Sequence, residues 1–101
     1  MKKHTKLYLD AFGYDETDFI PSEVSGQKGI DIHHIDSRGM GGSGSMDRIE
    51  NIMALTREEH LEYGDKTYLK CILYKIHKKQ MQLRGVKFDE KWINEKIKIY
   101  E

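Results

Sequence analysis

Two adjacent histidines, His33-His34, close a short apolar run that begins at Ile30. A third, His60, follows beyond an asparagine, Asn51. Three of the chain's five histidines therefore fall in one 28-residue window. Neutral imidazole is the commonest transition-metal ligand, and it is the side chain poised to move protons near pH 7. A pair of histidines facing a third across a loop could hold one divalent ion and keep one ring free as a base.

A chain of 101 residues predicts a single domain, 1–101, with a small core. Lys+Arg and Asp+Glu number 17 each, so overall charge makes no case for nucleic acid. Its distribution does. Residues 1–65 hold 7 basic and 13 acidic side chains, a balance of −6, and residues 66–101 hold 10 basic and 4 acidic, a balance of +6. A basic C-terminal third is an electrostatic footprint for phosphate or, equally, a solvated helix face. Cys71 is the only cysteine, which excludes a disulfide within the chain and a cysteine zinc knuckle. Neither a transmembrane-length apolar run nor a signal-peptide core is present, so the expectation is a soluble intracellular protein without membrane contact.

The class predicted from pattern is α+β. Lys3 to Phe12 suits a short helix, with Leu7, Ala11 and Tyr8 facing inward and Gly13 as its stop. Phe19-Ile20 and Ile30 to His33 suit two short strands, interrupted by Pro21 and a turn over 22–29, so 19–33 is expected to be a hairpin. His34 then lies at the strand's end. Residues 36–46 are rich in Gly and Ser. They lack the lysine and the strand–loop–helix order of a P-loop, so a surface loop with Arg38 at its base is expected. Ile49 to Leu55 leads into a helix whose start is marked by Thr56 and Glu59, a capping box. Gly64 ends it. Asp65 or Thr67 caps the next helix, which runs to about Arg84 with Leu69, Ile72, Leu73, Ile76 and Leu83 in its stripe and Cys71 nearby. After Gly85, Asp89 caps a last helix carrying Trp92, Ile93, Ile97 and Tyr100. The two long helices pack on each other, on the N-terminal helix, or across a homodimer; monomer and homodimer both stay open. His4 and His77 lack partners in the pattern and are assigned to the surface, and Trp92 and Tyr100 to the core.

The order of strand pair, two histidines, loop, asparagine and histidine-bearing capped helix resembles the HNH endonucleases, whose fold is the ββα-metal (His-Me) finger. The residues that carry the resemblance are Asp31-Ile32-His33-His34-Ile35, Glu50-Asn51-Ile52-Met53-Ala54-Leu55 and Thr56-Arg57-Glu58-Glu59-His60. It covers about residues 19–64, leaving 66–101 as basic C-terminal helices. What it implies is a DNA phosphodiesterase. His34 would be the general base that deprotonates the attacking water, and His33 and His60 would be metal ligands. Asn51 would tie the loop back to the hairpin and orient His34. The implied cofactor is one divalent ion, Mg²⁺ or Mn²⁺ foremost, with Ni²⁺ or Zn²⁺ as alternatives. Asp31 or Asp36 could add a carboxylate ligand, and Arg38 and Arg57 could hold phosphate oxygens. The implied partners are DNA and phage packaging or replication proteins, in the cytoplasm of a bacterial host cell.

These residue types suit the chemistry. Phosphodiester hydrolysis needs a deprotonated water in line with the leaving oxygen, and positive charge where negative charge develops. Two imidazole ligands leave most of a coordination sphere open for water and phosphate. The chain departs from the family pattern at two places. Ser22-Glu23-Val24-Ser25 and Thr56-Arg57-Glu58-Glu59 stand where many members carry C-x-x-C pairs for a structural zinc, so no structural zinc is expected. Gly64 stands where some members carry a further histidine ligand, which bears on metal affinity. Two rival functions remain at this level. One is a catalytically silent module of the same fold that binds DNA or a protein. The other is a helical oligomerising protein in which 66–101 associate and the histidines hold metal structurally.

Overall fold

The computed structural model describes residues 1–29, 31–37, 44–64 and 66–101. The expectations placed on Ile30, Arg38, most of the Gly-rich loop and Asp65 lie outside the described residues. The class is α+β. Among the described residues there are four α-helices, α1 (Lys3–Phe12), α2 (Arg57–Tyr63), α3 (Lys70–Leu83) and α4 (Glu90–Tyr100), and one antiparallel pair, β1 (Asp31–His34) with β2 (Ile52–Leu55). None of the described helices is long and apolar enough to cross a membrane.

The strand pairing differs from the expected hairpin. Residue 31 opposes 55 and residue 34 opposes 52, so β1 pairs with a strand that lies after the Gly-rich loop. Of the 19–33 hairpin only an isolated bridge remains, Pro21 with Lys28, and the turn between them reaches β2 through Glu23 N–H to Ala54 O at 3.0 Å. The reason lies in the Ile52-Met53-Ala54-Leu55 run. All four side chains are 0 % exposed. A short strand apolar on every residue is one buried on both faces; here it lies between β1 and the 22–29 turn and leads on into α2.

Local signals set the helix ends. Gly13 follows α1 at φ 74, the left-handed conformation that glycine adopts without a Cβ clash. At the start of α2 the Thr56 hydroxyl accepts from Glu59 N–H and the Glu59 carboxylate accepts from Thr56 N–H, so the expected capping box is formed. Asp89 caps α4 by accepting from Trp92 N–H. The inward faces are rotated from the expected ones. On α1 the buried residues are Tyr8, Leu9 and Phe12, and on α3 they are Cys71, Leu73, Tyr74, His77 and Met81. Ile72 and Leu83 are exposed. His77 is therefore a core residue rather than a surface one. Its Nε2–H donates to Ile49 O at 2.6 Å, its Nδ1 lies 2.8 Å from Glu23 Oε1, and Tyr8 donates to Glu23 Oε2 at 2.6 Å. This buried chain fastens α1, the 22–29 turn and α3 to the turn at Ile49 that precedes β2.

Helix α4 packs against α3, but only Ile93 on it is buried. One such side chain contributes roughly 1.5–3 kcal/mol, far below the roughly 1–2 kcal/mol per residue that ordering an eleven-residue backbone costs. Partly buried Trp92, Ile97 and Tyr100 add to it, and so does Asp36. The Asp36 carboxylate accepts from Tyr74 at 2.5 Å, from Lys70 at 3.1 Å and from the Tyr100 hydroxyl, with Lys96 Nζ at 3.4 Å. Two of these four groups are on α4. Burial pushes the Asp36 carboxyl up, but the Tyr100 and Tyr74 hydroxyls and the Lys70 and Lys96 ammonium groups outweigh it and hold it below the usual carboxylate range. Burial and that carboxylate together push the Tyr100 hydroxyl up to about 12.

A carboxyl held low in the folded state stabilises fully above its unfolded pKa, about 3.9, and loses that contribution as pH falls through the folded value. Asp36→Asn should therefore lower the thermal midpoint at pH 7, and its deficit against the parent protein should shrink below about pH 4. Thermal melts from pH 7 to pH 2.5 check this; a deficit that stays constant would contradict the ion-paired anchor.

Candidate metal centre and histidine cleft

Strand β1 presents its side chains alternately to two faces. Asp31 and His33 share one, and there α2 brings His60 against them. The ring centroids of His33 and His60 are 4.7 Å apart. The Asp31 carboxylate clamps this side: His60 Nδ1 is 2.8 Å from Oδ2, and Arg57 donates from Nε at 2.8 Å and Nη2 at 3.0 Å. A carboxylate accepts, so the His60 hydrogen sits on Nδ1 and, in the neutral ring, Nε2 is a bare lone pair. Burial pushes the Asp31 carboxyl up, but the hydrogen bonds from His60 and Arg57 prevail and hold it below its ordinary range.

His33 is 5 % exposed, and its Nε2 is the one buried side-chain polar atom among the described residues without a hydrogen-bond partner. Leaving such an atom unsatisfied costs about 1–3 kcal/mol. Burial, then the neighbouring His60 and His34 rings, push the His33 imidazolium down to about 4. At neutral pH the ring is uncharged, with a lone pair available. Gly64 borders both rings. A Cβ there would lie 3.6 Å from His33 Cε1, 3.4 Å from His60 Cδ2 and only 2.6 Å from His60 O, so the bare glycine leaves the pair uncrowded.

His34 projects to the other face, towards α1. Its Nε2 is 2.7 Å from Asp47 Oδ1, and its ring centroid is 4.4 Å from that of His4. His33, His34 and His60 nevertheless line one open cleft of about 560 Å³, together with His4, Lys2, Ser37 and Lys70. A second depression of about 410 Å³ continues from it past Thr5, Asp31 and Arg57. Among the described residues, the cations that border this surface are Lys2, Lys70 and Arg57.

Asn51 sits beneath the cleft at 0 % exposure. Its Nδ2 donates to Asp36 O at 3.0 Å and Met46 O at 2.9 Å, and its Oδ1 accepts from Asp36 N–H at 2.9 Å. The Tyr74 hydroxyl, which has one hydrogen to give, is shared between Asp36 Oδ2 and Asn51 Oδ1, the latter at 2.8 Å. One amide thus joins the two ends of the connection between β1 and β2.

Of the residues singled out from the sequence, His33, His34 and His60 meet in the cleft, and Asn51 lies below it. Asp31 borders it as the partner of His60 and Arg57. Asp36 is turned into the core, where its oxygens hold Tyr74, Tyr100, Lys70 and Lys96, so it anchors helices rather than facing the cleft. Arg57 is held by Asp31 with its side chain 60 % exposed. His4, assigned to the surface without a partner, instead meets His34 in the cleft, and Asp47 was not singled out. His4 reaches the cleft because α1 crosses β1, and nothing local in the sequence signals that crossing. Asp47 directly follows the Gly/Ser-rich stretch, and an acidic residue returning from a loop towards a histidine pair was the available hint. No family model matches the chain, nor does a curated protein or a solved structure compared with it.

A group whose folded pKa is depressed below its unfolded value stabilises above the unfolded pKa and loses that contribution as pH falls. For His33 the window runs from about 6.5, the unfolded value, down to about 4. Histidine ring NMR of the metal-free protein should show His33 neutral at pH 5, and His33→Gln should flatten the loss of stability between pH 6.5 and 4. A ring that titrates near 6.5 would mean that His33 is not buried against His60.

Proposed function

We propose that this chain is a metal-dependent endonuclease of the HNH type, hydrolysing DNA phosphodiester bonds, and that β1, β2 and α2 are its ββα-metal finger. The observation that carries the reading is the buried, unpartnered Nε2 of His33 beside a His60 ring whose other nitrogen is committed to Asp31. Two lone pairs prepared in this way fit a divalent ion, and the carboxylate behind His60 is the outer-shell support that metal-bound histidines usually have. His33 and His60 would hold the ion. When bound, it supplies positive charge for the negative charge that develops on the leaving oxygen.

The protein's own groups do the rest. Asp47 accepts from His34 Nε2–H and so fixes the tautomer that leaves the lone pair on Nδ1. His34 Nδ1 takes the proton from the attacking water. Asp47 also stabilises the imidazolium that results. Asn51 fixes the chain ends on either side of the β1–β2 connection, and with them the approach of the segment that carries Asp47 to the strand that carries His34. Lys2, Lys70 and Arg57 face phosphate at the rim. Mg²⁺ or Mn²⁺ is the ion proposed for the reaction, with Ni²⁺ or Zn²⁺ able to bind the same nitrogens. The setting proposed is the cytoplasm of a bacterial host, with phage packaging or replication proteins as associates.

Nicking of supercoiled plasmid by the purified protein should require a divalent ion and stop with EDTA. His34→Ala should lower the rate by about 10²–10⁴-fold, the contribution of a positioned general base, with the fold intact by circular dichroism. Cutting that survives His34→Ala would remove His34 as the base. Absence of cutting with Mg²⁺, Mn²⁺, Ni²⁺ or Zn²⁺ would leave a silent binding module as the better reading.

DNA affinity should fall steeply with salt, since each phosphate neutralised releases counterions. Charge reversal at Lys2 should reduce the slope of log affinity against log salt by about one unit. A slope unchanged by Lys2→Glu would move the DNA away from the start of α1.

A further inference from the structure

A second group of metal-ligating side chains gathers around His34, at the α1 side of the cleft that His33 and His60 also line. His4 from the first turn of α1, His34 from the end of β1 and Asp47 from the segment before β2 each offer one ligand atom, and these atoms lie within 4.8 Å of one another. Three elements distant in sequence converge there. His4 and His34 line the open cleft, while the Asp47 carboxylate lies behind them with its side chain 3 % exposed. We propose that His4, His34 and Asp47 form a second cation site, selective for Zn²⁺ or a similar borderline ion, and that its occupancy switches off His34 as a base.

The donor set decides the ion. Two imidazole nitrogens and one carboxylate oxygen form the open His₂-carboxylate set of zinc and other late first-row metals. Mg²⁺ prefers oxygen ligands and dehydrates reluctantly, so two imidazoles alone hold it weakly at either site. At the His33–His60 site the phosphate oxygens of the DNA would complete its oxygen shell, and the His4–His34–Asp47 site would then stay open for Zn²⁺. With Mg²⁺ alone, His34 keeps its hydrogen bond to Asp47 and its Nδ1 lone pair. With Zn²⁺, the ion takes the place of the hydrogen between His34 Nε2 and Asp47 Oδ1. A neutral ring that gives Nε2 to a metal carries its hydrogen on Nδ1 and has no lone pair left for water. His4 makes the device specific, because without it the site is one imidazole and one carboxylate.

The switch rests on the nuclease reading, while the site itself does not, and the test separates the two. Zn²⁺ bound per chain is measured by equilibrium dialysis on the 101-residue chain, with Co²⁺ visible absorption as an independent signature of nitrogen ligation. Two Zn²⁺ are expected for the parent protein, one for His4→Ala and one for His60→Ala. Plasmid nicking in saturating Mg²⁺ is then titrated with Zn²⁺. The concentration for half-inhibition should rise in His4→Ala by more than the ~10–100-fold that loss of an outer-shell partner costs. His4→Gln keeps the polarity of the helix start and should behave as His4→Ala does. Two Zn²⁺ retained in both His4 variants would overturn the site. Zinc inhibition undiminished in both variants would overturn the switch. A His4-dependent Zn²⁺ in a protein that never cuts DNA would leave the site standing and sink the nuclease reading instead. Active enzyme with a single, His60-dependent Zn²⁺ would do the reverse.

Discussion

A single buried amide holds the site side of this molecule together. Asn51 spans the base of the connection between β1 and β2, donating to backbone carbonyls at both ends and accepting from a backbone N–H at one. Each net hydrogen bond of this kind contributes only about 0.5–1.5 kcal/mol, but a buried amide deprived of partners costs more than that. The interaction therefore acts as a constraint. The chain enters and leaves the connection at a fixed separation, β1 and β2 stay in register, and His33 and His34 are aimed to opposite faces. The same amide shares Tyr74 with Asp36, and through Asp36 the constraint reaches Tyr100 on α4. Both long C-terminal helices are thus fastened to the point where the strand pair is closed.

The far end of the strand pair is held by different means. Ser22, Ser25, Thr56 and Glu59 stand where the HNH resemblance would place zinc-binding cysteines, and here these side chains converge on the Glu59 carboxylate. The Ser22 hydroxyl donates to Glu59 Oε1 at 2.5 Å and accepts from Val24 and Ser25 N–H, while Thr56 and Glu59 cap each other. Burial pushes the Glu59 carboxyl up, but the Ser22 hydroxyl, Thr56 N–H and Ser25 overcome it and hold it low. Such a knot fixes the same chain crossing by hydrogen bonds. Its worth, about 1 kcal/mol for the cap and up to about 3 for each hydrogen bond to a charged group, is well below the ~10–16 kcal/mol of a structural zinc. The packing of α3 on α4 and the buried Tyr8–Glu23–His77 chain add to the scaffold.

The elements with strong local signals were legible in the sequence. Thr56 with Glu59, Asp89 and Gly13 mark helix ends through contacts a few residues long, and the structure has helix boundaries where they stand. Strand pairing was legible only in part, because a fully apolar run such as Ile52 to Leu55 carries no alternation to distinguish strand from helix approach. Its partner also lies across a loop rather than a tight turn. His77 could have been placed in the core, since it follows Tyr74 by three residues and precedes Met81 by four, the spacing of one buried helix face. The order of His33, Asn51 and His60 brought out the cleft, whereas His4 depends on how α1 crosses the sheet, which no spacing within the chain encodes, and Asp47 on how the β1–β2 connection returns to His34.

The adjacency of His33 and His34 has a physical logic beyond motif order. Neighbours on a strand face opposite sides, so two identical side chains one residue apart meet two different environments at almost the same place. His33 is buried, pressed by a second imidazole and held neutral, which suits a ligand and disfavours a proton acceptor. His34 is partly open to the cleft and backed by a carboxylate, which suits proton transfer. Exchange of the two environments by a one-residue slip would put His34 against His60 and His33 against Asp47, and every other β1 side chain would change faces with them. The buried β2 partners and the Asn51 clamp oppose that slip. The difference in surroundings between the two rings is therefore set by the register of the sheet, and by the amide that closes it, rather than by any difference between the rings themselves.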